Sequence, residues 1–203
     1  MKERCCKFSE KKKEAILESA SELFLSKGYG DVSMDEIAKC ACVSKRTVYN
    51  HFPSKELLFA EMVRLTWTSI EQPSLDIENS DDVREVLKAY TLNFLDIMRS
   101  EKFSNLLRLM MGESERFPEL KKMYSEHGIR TVLSTVNEFF MSVNDAGILC
   151  IQDPMLTAQQ YVGMVKESLF WPVLLGLFKQ PTAERDELVV NSAIDIIFTT
   201  YSN

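Results

Sequence analysis

The chain has 203 residues, 45% of them hydrophobic, with only seven glycines and six prolines. That allows a sizeable core in one or two domains and argues against long irregular tracts. The formal charge is −6, yet residues 1–60 hold 11 Lys and Arg against 9 Asp and Glu, so the basic excess sits at one end, where a polyanion could bind.

Two further exclusions concern location and chemistry. No run of about 18 uncharged apolar residues exists to span a membrane, and the start MKERCCKFSEKKKEAI has no apolar signal segment. The five cysteines, Cys5, Cys6, Cys40, Cys42 and Cys150, fit no zinc spacing. The expectation is a cytoplasmic protein with free thiols, no metal and no cofactor.

Nearly everything reads as helix. Ile16, Ala20, Leu23 and Phe24 make a stripe along a helix from Ser9 to Lys27, and Gly28 follows as a left-handed terminator. Ser33, three residues before Glu36, forms a capping box for a short helix with Ile37, Ala38 and Ala41 inward. Cys42-Val43 is a tight corner. Ser44 caps a second short helix, Lys45 to Asn50, in which only Val48 is clearly apolar and inward. A longer helix starts after Pro53 with Ser54 as cap and Leu57, Leu58, Met62 and Leu65 inward, ending near Glu71; residues 72–79 read as a loop.

Ser80 or Asp81 caps the next helix, with Val83, Val86, Leu87, Tyr90, Phe94 and Met98 along it, and another carries Phe103, Leu106, Leu107, Met110 and Met111. Pro118 interrupts the pattern. A long helix then runs from about Glu119 to Val143, and Asp145-Ala146-Gly147 is a turn. Asp153-Pro154 is an N-cap with proline at the first helical position. The apolar helix that follows passes Tyr161, Val165, Leu169, Phe170, Leu174 and Leu177, kinked at Pro172. A last helix, about Thr182 to Tyr201, presents Leu188, Val189, Ala193, Ile196 and Ile197. The fold class is all-α.

The pair of short helices is the informative feature. A helix as short and polar as 45–50 gains almost nothing from burial, so its side chains are better explained by a ligand outside the chain. Lys45 and Arg46 can neutralise phosphate or donate to guanine, Thr47 can meet a thymine methyl, and Asn50 can pair with adenine. Tyr49 and His51 offer donors to backbone oxygens. Lys55 stands in the first turn of the following helix, where an anion is favoured. Two short helices with a tight turn, the second exposed, make a helix-turn-helix. A solvated surface pair is the bland alternative.

The motifs Ala20-x-x-Leu23-Phe24-x-x-x-Gly28-Tyr29, Ser33-Met34-x-x-Ile37-Ala38, Val43-Ser44-x-x-Thr47-Val48-Tyr49-x-His51-Phe52, Ser54-Lys55-Glu56 and Leu58-Phe59 occur in one order over more than forty residues. In that order they resemble the DNA-binding domain of TetR-type transcriptional regulators. The resemblance implies a three-helix DNA-binding domain at 1–53 and a larger helical domain at 54–203 that binds an effector and dimerises. It implies backbone contacts to double-stranded operator DNA from Ser33, Thr47, Tyr49, His51 and Lys55, and base-facing positions at Lys45, Arg46, Thr47 and Asn50, with Ser44 at the helix start. Where the family commonly has Gly in the turn this chain has Cys42, at a cost of roughly 1 kcal/mol if that residue is left-handed. Where the family often has Thr it has Val32.

Glu115-Arg116-Phe117-Pro118-Glu119-Leu120 and Gly163-x-Val165-Lys166-x-x-Leu169-Phe170-Trp171-x-x-Leu174-Leu175-Gly176 resemble, more loosely, the effector domain of AefR-like members. Phe94, Met98, Phe103, Met110, Tyr124, Met164, Phe170 and Trp171 are adaptable or aromatic groups that could line a pocket for a small, largely apolar effector, with ordinary core as the alternative for each. Glu167 either meets a ligand cation or faces solvent. The apolar faces around Leu169, Leu174, Leu188, Ala193 and Ile197 suggest a homodimer through the last two helices. No nucleophile elbow, phosphate loop or metal motif points to an enzyme. An all-helical adaptor would share the final helices but not the motif order of residues 16–59.

Overall fold

The computed structural model describes residues 2–68, 82–125 and 130–202, and apart from one isolated antiparallel bridge, Leu149 to Ser202, these are helices and turns. The chain divides into two compact units, residues 1–69 with 105–128, and residues 70–104 with 129–203.

In the first unit α1 (Lys2–Lys27) buries Ile16, Ala20 and Phe24 completely, one residue per turn along a single stripe. Gly28 ends it with φ +88°, a backbone that favours glycine, and a Cβ there would lie 2.6 Å from the Glu113 carboxylate, which would have to swing aside. α2 (Met34–Cys40) opens with the complete capping box: the Ser33 amide donates to the Glu36 carboxylate at 2.9 Å and the Glu36 amide donates to Ser33 Oγ at 3.2 Å. The Ser33 amide, and then Lys27, hold the Glu36 carboxyl down at about 2. The cap is therefore intact above the ordinary carboxylate value and is lost only as the pH falls through about 2.

α2 closes in a Schellman motif. The Val43 amide bonds the Ala38 carbonyl at 3.0 Å, the Cys42 amide bonds that of Lys39 at 3.2 Å, and Cys42 takes φ +52°. The same pair of bonds ends two other helices, each time with a glycine, Gly147 or Gly176, at the left-handed position. Cys42 is exposed, so glycine there would forfeit no buried side-chain contact. Cys42→Gly is expected to raise stability by about 0.5–1 kcal/mol, the steric relief exceeding the entropy of the freer unfolded chain. The urea midpoint measures it, and an unchanged or lower midpoint contradicts it. Cys40 and Cys150 are also free and exposed.

α3 (Lys45–His51) follows its N-cap Ser44, and α4 (Lys55–Thr68) returns to the core with Leu58, Phe59, Met62 and Val63 buried. Leu57, expected inward, is exposed, because 58, 59, 62 and 63 already define the inward stripe. Phe24, Tyr29, Phe59 and Phe117 form one ring cluster with centroids 5.0–6.1 Å apart. Phe117 belongs to the segment between α6 (Glu101–Glu113) and α7 (Pro118–Tyr124), where Pro118 starts a helix rather than merely ending one. The compact units do not part at residue 53: α4 and α7 pack with α1 to α3 in the first unit.

The second unit holds α5 (Val83–Arg99), α8 (Arg130–Asp145), α9 (Pro154–Leu169), α10 (Trp171–Leu174) and α11 (Ala183–Thr200), around a core that includes Leu87, Leu95, Phe140, Tyr161, Val165, Val190 and Ile194. Asp82, not Ser80 or Asp81, caps α5, its carboxylate accepting from the Arg84 amide at 2.9 Å; residues 80 and 81 lie outside the described residues. The helix expected from Glu119 to Val143 is found as α7 and α8, with residues 126–129, His127 among them, outside the described residues. Asp153 and Pro154 start α9 as expected.

Pro172 does more than kink the apolar helix. α9 stops at Leu169 and α10 is a separate turn, because proline lacks an N–H and its ring clashes with the carbonyl four residues earlier. The Leu169 carbonyl instead accepts from Arg99 Nε at 3.1 Å and Nη2 at 3.0 Å. The same guanidinium grips Asp186 of α11 with Nη1 to Oδ2 at 2.5 Å and Nη2 to Oδ1 at 2.8 Å. One side chain therefore ties α5, the broken end of α9 and α11.

Candidate nucleic-acid interface

α2 packs against both α1 and α3. On the seven-residue α3 only Val48 is buried; Lys45, Arg46, Tyr49 and Asn50 are exposed, and Thr47 and His51 half-buried. A helix this short is held by its cap and that one anchor. Ser44 Oγ accepts from the Thr47 amide at 3.1 Å and shares a hydrogen bond with Thr47 Oγ1 at 2.8 Å. Ser33 Oγ sits 3.1 Å from the Glu36 carboxylate. Both serines are thus caps first, each placing a hydroxyl at a helix start.

Lys45 is paired with Asp35 on α2, and both are exposed. Such a pair contributes little and exchanges readily for a phosphate. Arg46, Tyr49 and Asn50 have no partner among the described residues. These three present donors, and in the case of Asn50 and Tyr49 acceptors as well, to whatever occupies the space outside α3. The His51 ring leans on Phe52 with centroids 6.3 Å apart.

Lys55 has a different use from the phosphate contact expected of it. Its ammonium donates to the carbonyls of Tyr29 at 2.7 Å, Val32 at 2.9 Å and Gly30 at 3.3 Å, and lies 4.5 Å from the Tyr29 ring centre. Its three donors are taken by the loop joining α1 to α2. Burial lowers its pKa, against the opposing pull of Glu56, Asp31, Glu113 and Glu119. Behind it the buried Tyr29 hydroxyl has no hydrogen-bond partner among the described residues, and burial pushes the phenol well up.

A second feature lies inside the second unit. A cavity of about 10 Å³, room for about one water, has nearly wholly apolar walls, from Phe94, Val132, Val136, Val162 and Val165 and from the nonpolar parts of Tyr90, Thr91, Tyr161 and Lys166. Of the expected effector contacts only Phe94 lines it. Met98 and Phe103 are buried elsewhere in the core, Phe103 against Phe170. Met110 belongs to the other unit, Met164 packs partly against the core, and Glu167 is exposed. The Tyr124 side chain lies outside the described residues. Phe170 and Trp171 approach the cavity only through Lys166, whose ammonium is 5.9 and 5.1 Å from their ring centres. The meeting of Thr91 on α5 with Tyr161 and Lys166 on α9 is not legible in the sequence, because it joins two helices about 70 residues apart.

The faces expected to pair two copies also differ. Leu169, Leu174, Ala193 and Ile197 are buried within the chain, whereas Leu188 is 60% and Ile196 50% exposed on α11, and Leu156 is exposed on α9. These inward stripes are apolar because they pack in the chain's own core.

With this geometry in place, comparison with known proteins is informative. Residues 16–62 match the family model described as bacterial regulatory proteins, tetR family, and residues 85–203 match that of the AefR-like transcriptional repressor, C-terminal domain. The solved structure of a flavonoid-responsive regulator, FrrA, is 30% identical, with TM-score 0.82 over 94% of this chain and 97% of that one. A TetR-family regulator of Mesorhizobium loti is 25% identical, with TM-score 0.80 over 96% of this chain and 98% of that one. The HTH-type transcriptional regulator YuxN of Bacillus subtilis is 32% identical over 97 residues, which are 47% of this chain and 33% of YuxN; the match therefore spans about a third of that relative's length. Among the described residues no helix is long and apolar enough to cross a membrane.

Proposed function

The chain belongs to the TetR family of bacterial transcriptional regulators, and on that premise we propose that it is a ligand-responsive repressor, binding a pseudo-palindromic operator as a homodimer and released by a small, largely apolar effector. The observation that carries the reading is α3, a seven-residue helix whose Arg46, Tyr49 and Asn50 side chains have no partner among the described residues and whose only buried residue is Val48. The description of the C-terminal family model as a transcriptional repressor supports the sign of regulation. The flavonoid response in FrrA's name, over nearly the whole chain, supports a small-molecule effector.

In the bound dimer one α3 enters the major groove of each half-site. Arg46 and Asn50 face bases; Thr47, Tyr49, His51 and the serine hydroxyls at residues 33 and 44 meet the backbone. Two-fold protein symmetry requires half-sites about one helical turn, or a small multiple, apart. The outward faces of α9 and α11, with Leu156, Leu188 and Ile196, form the four-helix contact between copies. The effector acts by binding preferentially to the dimer whose α3 helices are wrongly spaced; a tenfold loss of operator affinity needs about 1.4 kcal/mol of coupling.

Arg46→Ala and Asn50→Ala are each expected to lose about 1–3 kcal/mol of discrimination at one base position, with non-specific binding to duplex DNA kept in the Asn50 variant. Competition binding against single-base operator variants measures it; unchanged preference in both would remove the base-reading role. Leu188→Glu with Ile196→Glu is expected to give a folded monomer in sedimentation at micromolar concentration. A dimer that persists in that variant places the contact elsewhere.

A further inference from the structure

The cavity in the second unit is lined by the nonpolar parts of four polar residues, whose polar groups sit at its edge. Thr91 Oγ1 donates to the Leu87 carbonyl at 2.7 Å, so the 2.6 Å contact between Thr91 Oγ1 and the Tyr161 hydroxyl is donated by the tyrosine. Tyr90 hydrogen-bonds Thr135. The Thr91 and Tyr161 hydroxyls have thus directed their protons into the protein, and the Tyr90 hydroxyl is engaged by Thr135. The fourth group, the Lys166 ammonium, has three donors and no carboxylate within ion-pair distance among the described residues. The other lysine described on the core helices of this unit, Lys88, stands between Glu85 and Glu187.

Lys166 instead rests near the Phe170 and Trp171 rings. Rings stabilise a cation without supplying a counter-charge. Burial lowers the pKa of this group. An ammonium so placed costs free energy that an anion from outside would recover. Phe94, Val132, Val136 and Val165 beside it offer an apolar partner only shape and area.

We propose that the effector is an amphipathic organic acid with a single anionic head, which pairs with Lys166, and an apolar body, which enters between Phe94 of α5, Val132 and Val136 of α8 and Val165 of α9. This deepens the ligand-responsive reading and rests on it. One cation matches one negative charge, so the cavity selects monoanions over polyphosphates. Space for about one water means that the apolar body must part α5, α8 and α9 as it enters. That displacement is what makes the ligand discriminate between conformations.

The test measures ligand binding without DNA. Decanoate and naphthalene-2-carboxylate, each beside its primary amide, are titrated calorimetrically into the full chain, into Lys166→Met, Lys166→Arg and Phe94→Ala, each checked for intact helical circular dichroism. The expected result is that at least one acid binds about tenfold or more tightly than its amide. That preference vanishes in Lys166→Met and persists in Lys166→Arg, while Phe94→Ala weakens acid and amide alike. Equal binding of acids and amides, a preference that survives Lys166→Met, or no binding of either acid at millimolar concentration overturns the anionic head. Operator release by a neutral compound, unchanged in Lys166→Met, would also overturn it while leaving the sensor reading intact. Operator binding insensitive to every bound ligand would sink the sensor reading instead.

Discussion

Arg99→Ala is expected to destabilise the protein by about 3–5 kcal/mol, the largest effect of any single substitution considered. The Arg99 and Asp186 side chains are only 2% and 12% exposed. Removing the guanidinium strands a carboxylate in the core and leaves the Leu169 carbonyl without its two donors. That carbonyl needs them because Pro172 ends the helical ladder just beyond it. Arg99→Lys restores the charge but not the two-pronged geometry, so it is expected to recover only part of the loss. Arg99→Met with Asp186→Leu removes both charges and is expected to be much less harmful than Arg99→Ala alone, leaving chiefly the cost of the stranded carbonyl. Urea denaturation of the four proteins measures these differences; a loss under about 1 kcal/mol in Arg99→Ala would show that the pair contributes no more than a surface ion pair.

Lys55→Ala is expected to cost about 1–3 kcal/mol of stability, from three loop carbonyls deprived of a charged donor, and to weaken binding to every DNA sequence. The weakening is indirect. The loop from Gly28 to Val32 leads into Ser33, the cap of α2, and α2 carries α3. A lysine that touched phosphate would also weaken binding to every sequence, but its loss would shallow the salt dependence by about one counterion. The carbonyl role predicts an unchanged slope of log affinity against log salt together with a lowered denaturation midpoint. A slope shallower by about one, with stability untouched, would return Lys55 to the phosphate.

These two residues mark where the sequence ceased to be readable. Caps and terminators act within four residues, so Ser33 with Glu36, Ser44, Gly28 and Asp153 with Pro154 could be placed from the string alone. The resemblance to TetR-type regulators carried the order of those elements. Partnerships across the fold left no such trace. Lys55 meets carbonyls 23 to 26 residues away, and Arg99 meets an acid 87 residues away. A basic residue near a polar helix reads as a DNA contact unless its tertiary partner is known. The apolar run from Tyr161 to Leu177 concealed a helix break, because Pro172 can bend or end a helix and its neighbours decide which. Met and aromatic side chains are mostly core, whereas four valines with Tyr90, Thr91, Phe94, Tyr161 and Lys166 line the cavity, and periodicity does not distinguish such positions from ordinary packing.

The central claim is that α3 of two symmetry-related copies reads DNA. The most direct measurement is selection of duplexes from a random pool by the purified full chain, followed by footprinting of the winners. The account predicts enrichment of an inverted repeat whose half-site centres lie about one helical turn, or a small multiple, apart, with both halves protected and with Arg46→Ala losing the enriched sequence. Enrichment of a single unsymmetrical site, or no enrichment over the starting pool at moderate salt, would contradict it.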